Sequence, residues 1–368
     1  MAGPAPQRSR RTPRGVAQRP PRSPREVARL VGFLVLLTTI MIGLLVVTTI
    51  YLSRSLGSDA LLADEPSRQE RQVSRVDQPL DEVPTSGVVD YVALGDSFSA
   101  GPGIPTRRTD PVACDRSTNN FPAYLADWLG VASYTDVSCT GARTAHLEES
   151  QQRPDGTEVP AQADALTPGT DLVTITLGGN DFSLVQQLID TCYGLAASSP
   201  EGTPCTDAFS NGTSNLLLDS ASAVQDNLVA AIRTVRSRSP RAAVVVVGYP
   251  HLFPSSGTCT ELGFAAGDSP FAASVVEAVA TSVRRAAAEE GVRYVDLLDV
   301  TTGHDICADD PWFAGATPPP GGPAPWHATQ EGMRQVARTV YAQLLEVEAP
   351  EEGVDAAPPA ESIVINAS

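Results

Sequence analysis

The chain has 368 residues and a formal net charge of −17, yet residues 1–29 carry eight Arg against one Glu. Basic charge is therefore confined to an N-terminal Pro/Arg tail, and the acidic remainder repels a phosphate backbone, which argues against nucleic-acid binding. The length exceeds one ordinary domain, so the segments that do not belong to a globular core must be set aside first.

Residues 30–52 form an uncharged apolar run of 23 residues. As a helix it is long enough to cross a hydrocarbon core of about 30 Å, and it is longer than the roughly 7 to 15 apolar residues of a secretory signal. The Arg-rich flank before it and the single Arg54 soon after it predict a single-pass membrane protein with a cytoplasmic N-terminus and everything from Ser53 outside the cell. Cleavage after Ala60 or Ala63, releasing a secreted form, stays open as the alternative. Residues 53–87 are polar and poor in aromatic residues and read as a flexible stalk, and residues 347–368 read as a disordered acidic tail.

Residues 88–346 alternate β-rich apolar runs with helical patterns, which predicts an α/β fold whose parallel sheet is covered on both faces. Strands are expected at 88–94, 134–139, 172–177, 242–247 and 293–297. Helices are expected at 121–129, 182–189, 215–238, 271–290 and 329–345. All six cysteines (Cys114, Cys139, Cys192, Cys205, Cys259 and Cys307) follow the apolar run, without C-x-x-C or metal-ligand spacing. Three disulfides in an oxidising compartment are expected, against the alternative of scattered buried thiols. Spacing alone leaves all fifteen pairings open. No metal set emerges, and no cofactor is expected.

In such a sheet a site lies beyond the carboxyl ends of the strands, and the polar and Gly-bearing motifs sit there: Gly95-Asp96-Ser97 after the first strand, Thr140-Gly141 after the second, Gly178-Gly179-Asn180-Asp181 after the third, and His327 before the last helix. A serine hydroxyl is a weak nucleophile and needs a base and donors for the oxyanion formed on attack. Ser97 offers the hydroxyl and a backbone N–H near a helix start, Gly141 a backbone N–H without an obstructing Cβ, Asn180 a side-chain amide, and His327 a base. Taken singly, each has a plainer role: a cap serine, a turn glycine, a helix-capping asparagine, a structural histidine. Asp96 reads as a support for the turn. Gly178 to Asp181 lacks the Lys and Ser/Thr of a phosphate loop.

The four blocks GDSFSAG, CTGA, GGND and a late His before a helix resemble, in that order, the SGNH/GDSL hydrolase family over about residues 88–345. The resemblance implies Ser97 as nucleophile, Gly141 and Asn180 as oxyanion donors, His327 as base, and a three-layer α/β/α sandwich with a five-stranded, flavodoxin-like parallel sheet. Within that family the chain is most similar to the secreted actinobacterial lipases and esterases, which also have a GHD-x-C segment like residues 303–307. That likeness implies disulfides Cys114–Cys139, Cys192–Cys205 and Cys259–Cys307. The family usually places Asp three residues before the catalytic His, where this chain has Ala324. The group that orients the imidazole is then expected to be the Ala324 backbone carbonyl, with Asp305, Asp309 or Asp310 as alternatives. His304 with Asp305 beside it is a further, less favourable base pair.

The resulting expectation is a monomeric, membrane-tethered serine ester hydrolase acting outside the cell, through a Ser-His dyad, on lipid or other acyl esters. Deacetylation of a cell-wall or extracellular polysaccharide is the alternative activity, and a non-catalytic surface binding module the alternative of another class.

Overall fold

The computed structural model describes residues 89–346, together with positions 41 and 349. The tail at 1–29, the membrane span expected at 30–52, the stalk at 53–87 and the acidic tail at 347–368 lie outside the described residues, those two positions apart. Among the described residues no helix is long and apolar enough to cross a membrane.

Five parallel strands form the sheet: β1 (Asp90–Gly95), β2 (Ser133–Asp136), β3 (Leu172–Thr176), β4 (Ala243–Val247) and β5 (Arg293–Val295), in the order β2-β1-β3-β4-β5. The central strands are runs of Val, Ile, Leu and Thr, and every residue of β3 and β4 is buried. A strand buried on both sides requires helices on both faces of the sheet. Among the described residues seven α-helices supply that cover and the connections: α1 (Ser97–Ala100), α2 (Phe121–Leu129), α3 (Leu184–Leu195), α4 (Pro204–Phe209), α5 (Leu216–Arg238), α6 (Ser269–Glu290) and α7 (Gln330–Leu345). Helix α2 packs against α7 and α5 against α6, the two pairs that right-handed crossovers place on opposite faces of this strand order. The chain leaves β1 toward β2 on one side and returns to build β3 on the other. The crevice between β1 and β3 is therefore the switch point of the sheet.

Helix ends follow local chemistry. The Asn120 side chain accepts from Ala123 N–H to start α2, which ends on Gly130 in the left-handed region. The Asn215 side chain caps α5, whose buried residues Leu217, Ala221, Val224, Leu228, Ile232 and Val235 recur at helical spacing.

Two expected elements differ most from those observed; the fifth strand also stops at Val295 and the first starts at Asp90. The second strand stops at Asp136 because its carboxylate turns back to accept from Ser138 N–H at 3.0 Å and Ser138 hydroxyl at 2.6 Å. The helix expected at 182–189 begins only at Leu184, since Phe182 and Ser183 sit at φ +56° and +54°, and it continues to Leu195. The short helix α4 carries no apolar periodicity that would announce it. It is held by Asp268, a buried residue at the start of α6, whose carboxylate accepts from Cys205 N–H at 3.0 Å, Thr206 N–H at 2.9 Å and Thr206 hydroxyl at 2.7 Å. Asp268 thus caps a helix 60 residues away instead of its own.

The disulfides are Cys114–Cys139, Cys192–Cys205 and Cys259–Cys307, the pairing implied by the family likeness, and no cysteine is free.

Replacing Asp268 with Ala leaves the buried Cys205 N–H and the partly buried Thr206 N–H unpaired and is expected to lower the unfolding free energy by about 3 kcal/mol. Urea denaturation reads this directly; an unchanged midpoint would show that the carboxylate cap of α4 contributes nothing.

Candidate active site

The turn that carries Ser97 grows out of β1. Asp96 N–H donates to Thr176 O at 2.9 Å, so the last link of the β1–β3 ladder is made at the turn itself. Asp96 then caps α1, its Oδ1 accepting from Phe98 N–H at 2.8 Å. The chain doubles back so tightly that a Cβ on Gly95 would lie 2.3 Å from Ser99 Oγ. Ser97 is the first residue of α1, where a helix has no partner of its own for the N–H. The supporting role expected of Asp96 is what its contacts display.

Beyond β3, Gly178 at φ +120° lies against α5, and a Cβ there would sit 2.6 Å from Val224 Cγ1. Asn180 does not cap the following helix. Its Nδ2 donates to Ala142 O at 3.0 Å, which leaves the second amide hydrogen for a ligand. Asp181 accepts from Thr144 N–H at 2.9 Å, Thr144 hydroxyl at 2.6 Å and Asn227 Nδ2 at 2.9 Å. The loops after β2 and β3 are thereby bonded to each other beside Asn180. Gly141 takes the left-handed turn of its block at φ +76°. Just before it, Thr140 bonds Cys114 O through both its N–H and its hydroxyl, alongside the Cys114–Cys139 disulfide.

His327 lies on the loop that enters α7. That loop is fixed by Ala314 N–H donating to His327 O at 2.9 Å, by a bridge between Phe313 and Ala328, and by Thr329 capping α7. The acceptor on the imidazole is not the carbonyl of Ala324. Nδ1 meets Pro325 O at 2.7 Å, while Ala324 O faces the backbone N–H of His327 at 3.3 Å. The one-residue difference comes from Trp326, whose φ of +55° turns the chain back so that the ring reaches the nearer carbonyl. The three candidate carboxylates do not serve either: Asp305 accepts from Cys307 N–H at 2.8 Å, Asp310 pairs with His304 at 3.4 Å, and Asp309 is exposed. His304 stacks on Trp312 with ring centroids 3.8 Å apart and its Nδ1 on Asp310 O, which makes it a brace for the loop and not a base.

A carbonyl only accepts, so neutral His327 carries its proton on Nδ1 and leaves the Nε2 lone pair free. Burial pushes the imidazole below its ordinary pKa, against the opposing pull of the Pro325 carbonyl. Burial pushes the Asp96 carboxyl the other way, up to about 7, although Tyr249 and Phe98 N–H both bond its charged form.

One cleft brings Asp96, Ser97, Asn180 and His327 together, and its remaining wall is largely apolar: Phe98, Val185, Ile189, Leu252, Val276, Val279 and Trp326. It encloses roughly 580 Å³, counting the space at its open mouth. Gly141 is not among the residues that line it. Among the described residues no group of His, Cys, Asp or Glu side chains is placed to hold a metal ion.

The model of the GDSL-like lipase/acylhydrolase family matches residues 93–335. The chain belongs to that family. Lipase 2 of Streptomyces coelicolor is 40% identical over 237 residues, which are 62% of this chain and 75% of that protein. An esterase of Streptomyces scabiei is 30% identical over 260 residues, 62% and 74% of the two chains. Among solved structures, phospholipase A1 from Streptomyces albidoflavus is 27% identical with a TM-score of 0.56, covering 72% of this chain and all of that one. The extracellular lipase of Streptomyces rimosus is also 27% identical, with a TM-score of 0.55 over 70% and 99%. This GDSL-family chain is accordingly a carboxylic ester hydrolase.

Three features of this family member were not anticipated. Tyr249, two residues past β4, reaches the cleft; its only signal in the sequence is a polar aromatic beyond the carboxyl end of a strand. The Pro325 carbonyl has no signal, because backbone direction is not a property of residue type. Gly103 follows the nucleophile block at φ +80°, and a Cβ there would lie 2.6 Å from Ala324 N. Pro102 O accepts from that same Ala324 N–H at 2.8 Å, so the segment after Ser97 touches the histidine loop directly.

Gly103→Ala is expected to displace that loop and lower kcat/KM by roughly 10- to 100-fold, in keeping with the sensitivity of catalysis to small misplacements. Circular dichroism should remain native; wild-type kcat/KM in the variant would show that this approach of the two segments does not set the position of His327.

Proposed function

We propose that the chain hydrolyses acyl esters, lipid esters foremost, through a Ser97–His327 dyad and an acyl-enzyme. Ser97 Oγ attacks the ester carbonyl while His327 Nε2 takes its proton. The imidazolium returns that proton to the alkoxide as the C–O bond breaks, and the alcohol leaves. Water, deprotonated by the same nitrogen, then attacks the acyl-enzyme and frees the acid and Ser97. The Ser97 N–H and the second amide hydrogen of Asn180 receive the oxyanion, joined by the Gly141 N–H that the family likeness implies. The Pro325 carbonyl orients the ring, and no cofactor takes part.

The observation that carries this reading is that Ser97 and His327 stand on the wall of one cleft whose other lining is largely apolar. An apolar trough beside the nucleophile suits an acyl chain, since each buried methylene contributes about 0.8 kcal/mol. A sugar ring asks for polar partners, which on this wall are fewer than the apolar side chains. The names lipase, esterase and phospholipase among the relatives support the same choice.

We place the domain at 88–346 outside the cell, as a monomer tethered by residues 30–52 with the N-terminus in the cytoplasm. The three disulfides support an oxidising location, and the 23-residue apolar run supports the tether. Finding the full-length chain in the soluble medium and not in the membrane fraction would sink the tether.

A fluorophosphonate should label Ser97, and Ser97→Ala and His327→Ala should each lose turnover of p-nitrophenyl esters by three orders of magnitude or more, roughly the loss seen when such a unit is broken. An unlabelled Ser97 would favour a non-catalytic binding module. Because the base must be neutral and burial lowers the pKa of His327, a component of kcat/KM should be lost only as pH falls below the ordinary imidazole value of about 6.5. A loss confined to alkaline pH would contradict His327 as base. Val185→Trp should narrow the trough and lower turnover of long-chain esters relative to short-chain ones on the order of tenfold; an unchanged chain-length profile would place the acyl chain elsewhere.

A further inference from the structure

We infer that Tyr249 is a positioning residue that holds the nucleophile turn and the oxyanion loop at a fixed separation across the crevice between β1 and β3. The inference rests on Ser97 as nucleophile and Asn180 as oxyanion donor. Those two groups ride on different loops, after β1 and after β3, and their spacing decides whether an oxyanion meets both donors. Tyr249 lies on the loop after a third strand, β4, and bonds to both loops. Its hydroxyl accepts from Gly179 N–H at 2.8 Å and donates to Asp96 Oδ2 at 2.6 Å. Asp96 Oδ1 in turn accepts from Phe98 N–H. The hydrogen bonds thus run unbroken from the residue before Asn180 to the residue after Ser97.

The site is built around this ring. A Cβ on Gly179 would lie 3.0 Å from the tyrosine Cε1, Cζ and hydroxyl oxygen, so any side chain at 179 crowds the ring. Phe98 meets it edge-on with centroids 5.5 Å apart. Tyr249 is 3% exposed, and loss of its hydroxyl leaves Gly179 N–H and one Asp96 oxygen without their partner in a place water scarcely reaches. Around Asp96 the titratable groups are Tyr249 from the loop after β4, Asp181 from the loop after β3, and His327 across the cleft. The Asp96 carboxyl lies at about 7, and the tyrosine hydrogen bond holds it down from a higher value. Removing that bond raises it further, so the ionised acceptor is lost at a higher pH as acid is added.

The test uses the full chain and a p-nitrophenyl ester. Tyr249→Phe is expected to lower kcat on the order of tenfold or more with KM within about twofold, since a displaced donor acts on the transition state more than on ground-state binding. Its acid limb should move to higher pH. Asp96→Asn, which keeps an oxygen to accept the tyrosine hydroxyl, should retain more kcat than Asp96→Ala. A wild-type kcat in Tyr249→Phe overturns the proposal, and so does a lower kcat that comes with a fall in melting temperature and an unmoved pH profile. Should Tyr249→Phe fail to fold, equal kcat losses in the two Asp96 variants overturn it. Fluorophosphonate labelling separates this from a failure of the catalytic reading. Were Ser97 not the nucleophile, the wild type itself would stay unlabelled there.

Discussion

A parallel sheet whose central strands are buried on both faces leaves little room for polar chemistry along its length. The strand ends are where backbone groups run out of ladder partners and loops can supply others. In this hydrolase that constraint is met most sharply at the end of β1. The last ladder bond, from Asp96 N–H to Thr176 O, is made by the residue that also caps α1 and takes the Tyr249 hydroxyl. The same few atoms finish the sheet, start the helix and aim Ser97 into the cleft. Because β3 is the other strand at this crevice, the GGND block arrives opposite without any long excursion of the chain.

The remaining parts are added by loops that would wander if left alone, and each is tied to a neighbour. The loop after β2 is held by the Cys114–Cys139 disulfide and by Thr140 on Cys114 O. Asp181 and Asn180 join it to the loop after β3. The histidine loop is joined to the nucleophile segment through Ala324 N–H on Pro102 O. Loop closure is entropically unfavourable, and these cross-links spread that opposition over covalent and hydrogen bonds whose ends lie near the reacting groups. Preorganisation of this kind is what the proposed oxyanion donors require, because donors that must reorient during reaction stabilise less.

Much of this was readable from residue order. Continuous apolar runs marked the inner strands β1, β3 and β4, since a strand buried on both faces cannot alternate, and the GDS and GGND blocks fell directly after β1 and β3. Ser97, Asn180 and His327, separated by up to 230 positions, meet in one cleft because the strand order brings their loops to one edge. What was not readable depends on backbone direction or on distant partners. Phe182 and Ser183 carry no mark of the left-handed turn that delays α3. Asp268 looks like the cap of α6, yet the carboxylate serves α4. The choice of Pro325 over Ala324 turns on a single torsion at Trp326, and Tyr249 is informative only once β4 is known to lie beside β3.

The hydrogen bond between His327 and the Pro325 carbonyl gives the imidazole a partner unlike the usual carboxylate in two respects. A carbonyl does not titrate in the range where enzymes work, so the orientation of the ring does not decay as acid is added; what changes is the Nε2 lone pair, which takes up a proton. It also belongs to the main chain, and no exchange of side chain at position 325 deletes it. A systematic alanine scan of this domain would therefore pass over the acceptor in silence, and variation among descendants of this sequence is free to change residue 325 as long as the path of the chain is kept. What selection can act on here is the shape of a loop, not the identity of a residue.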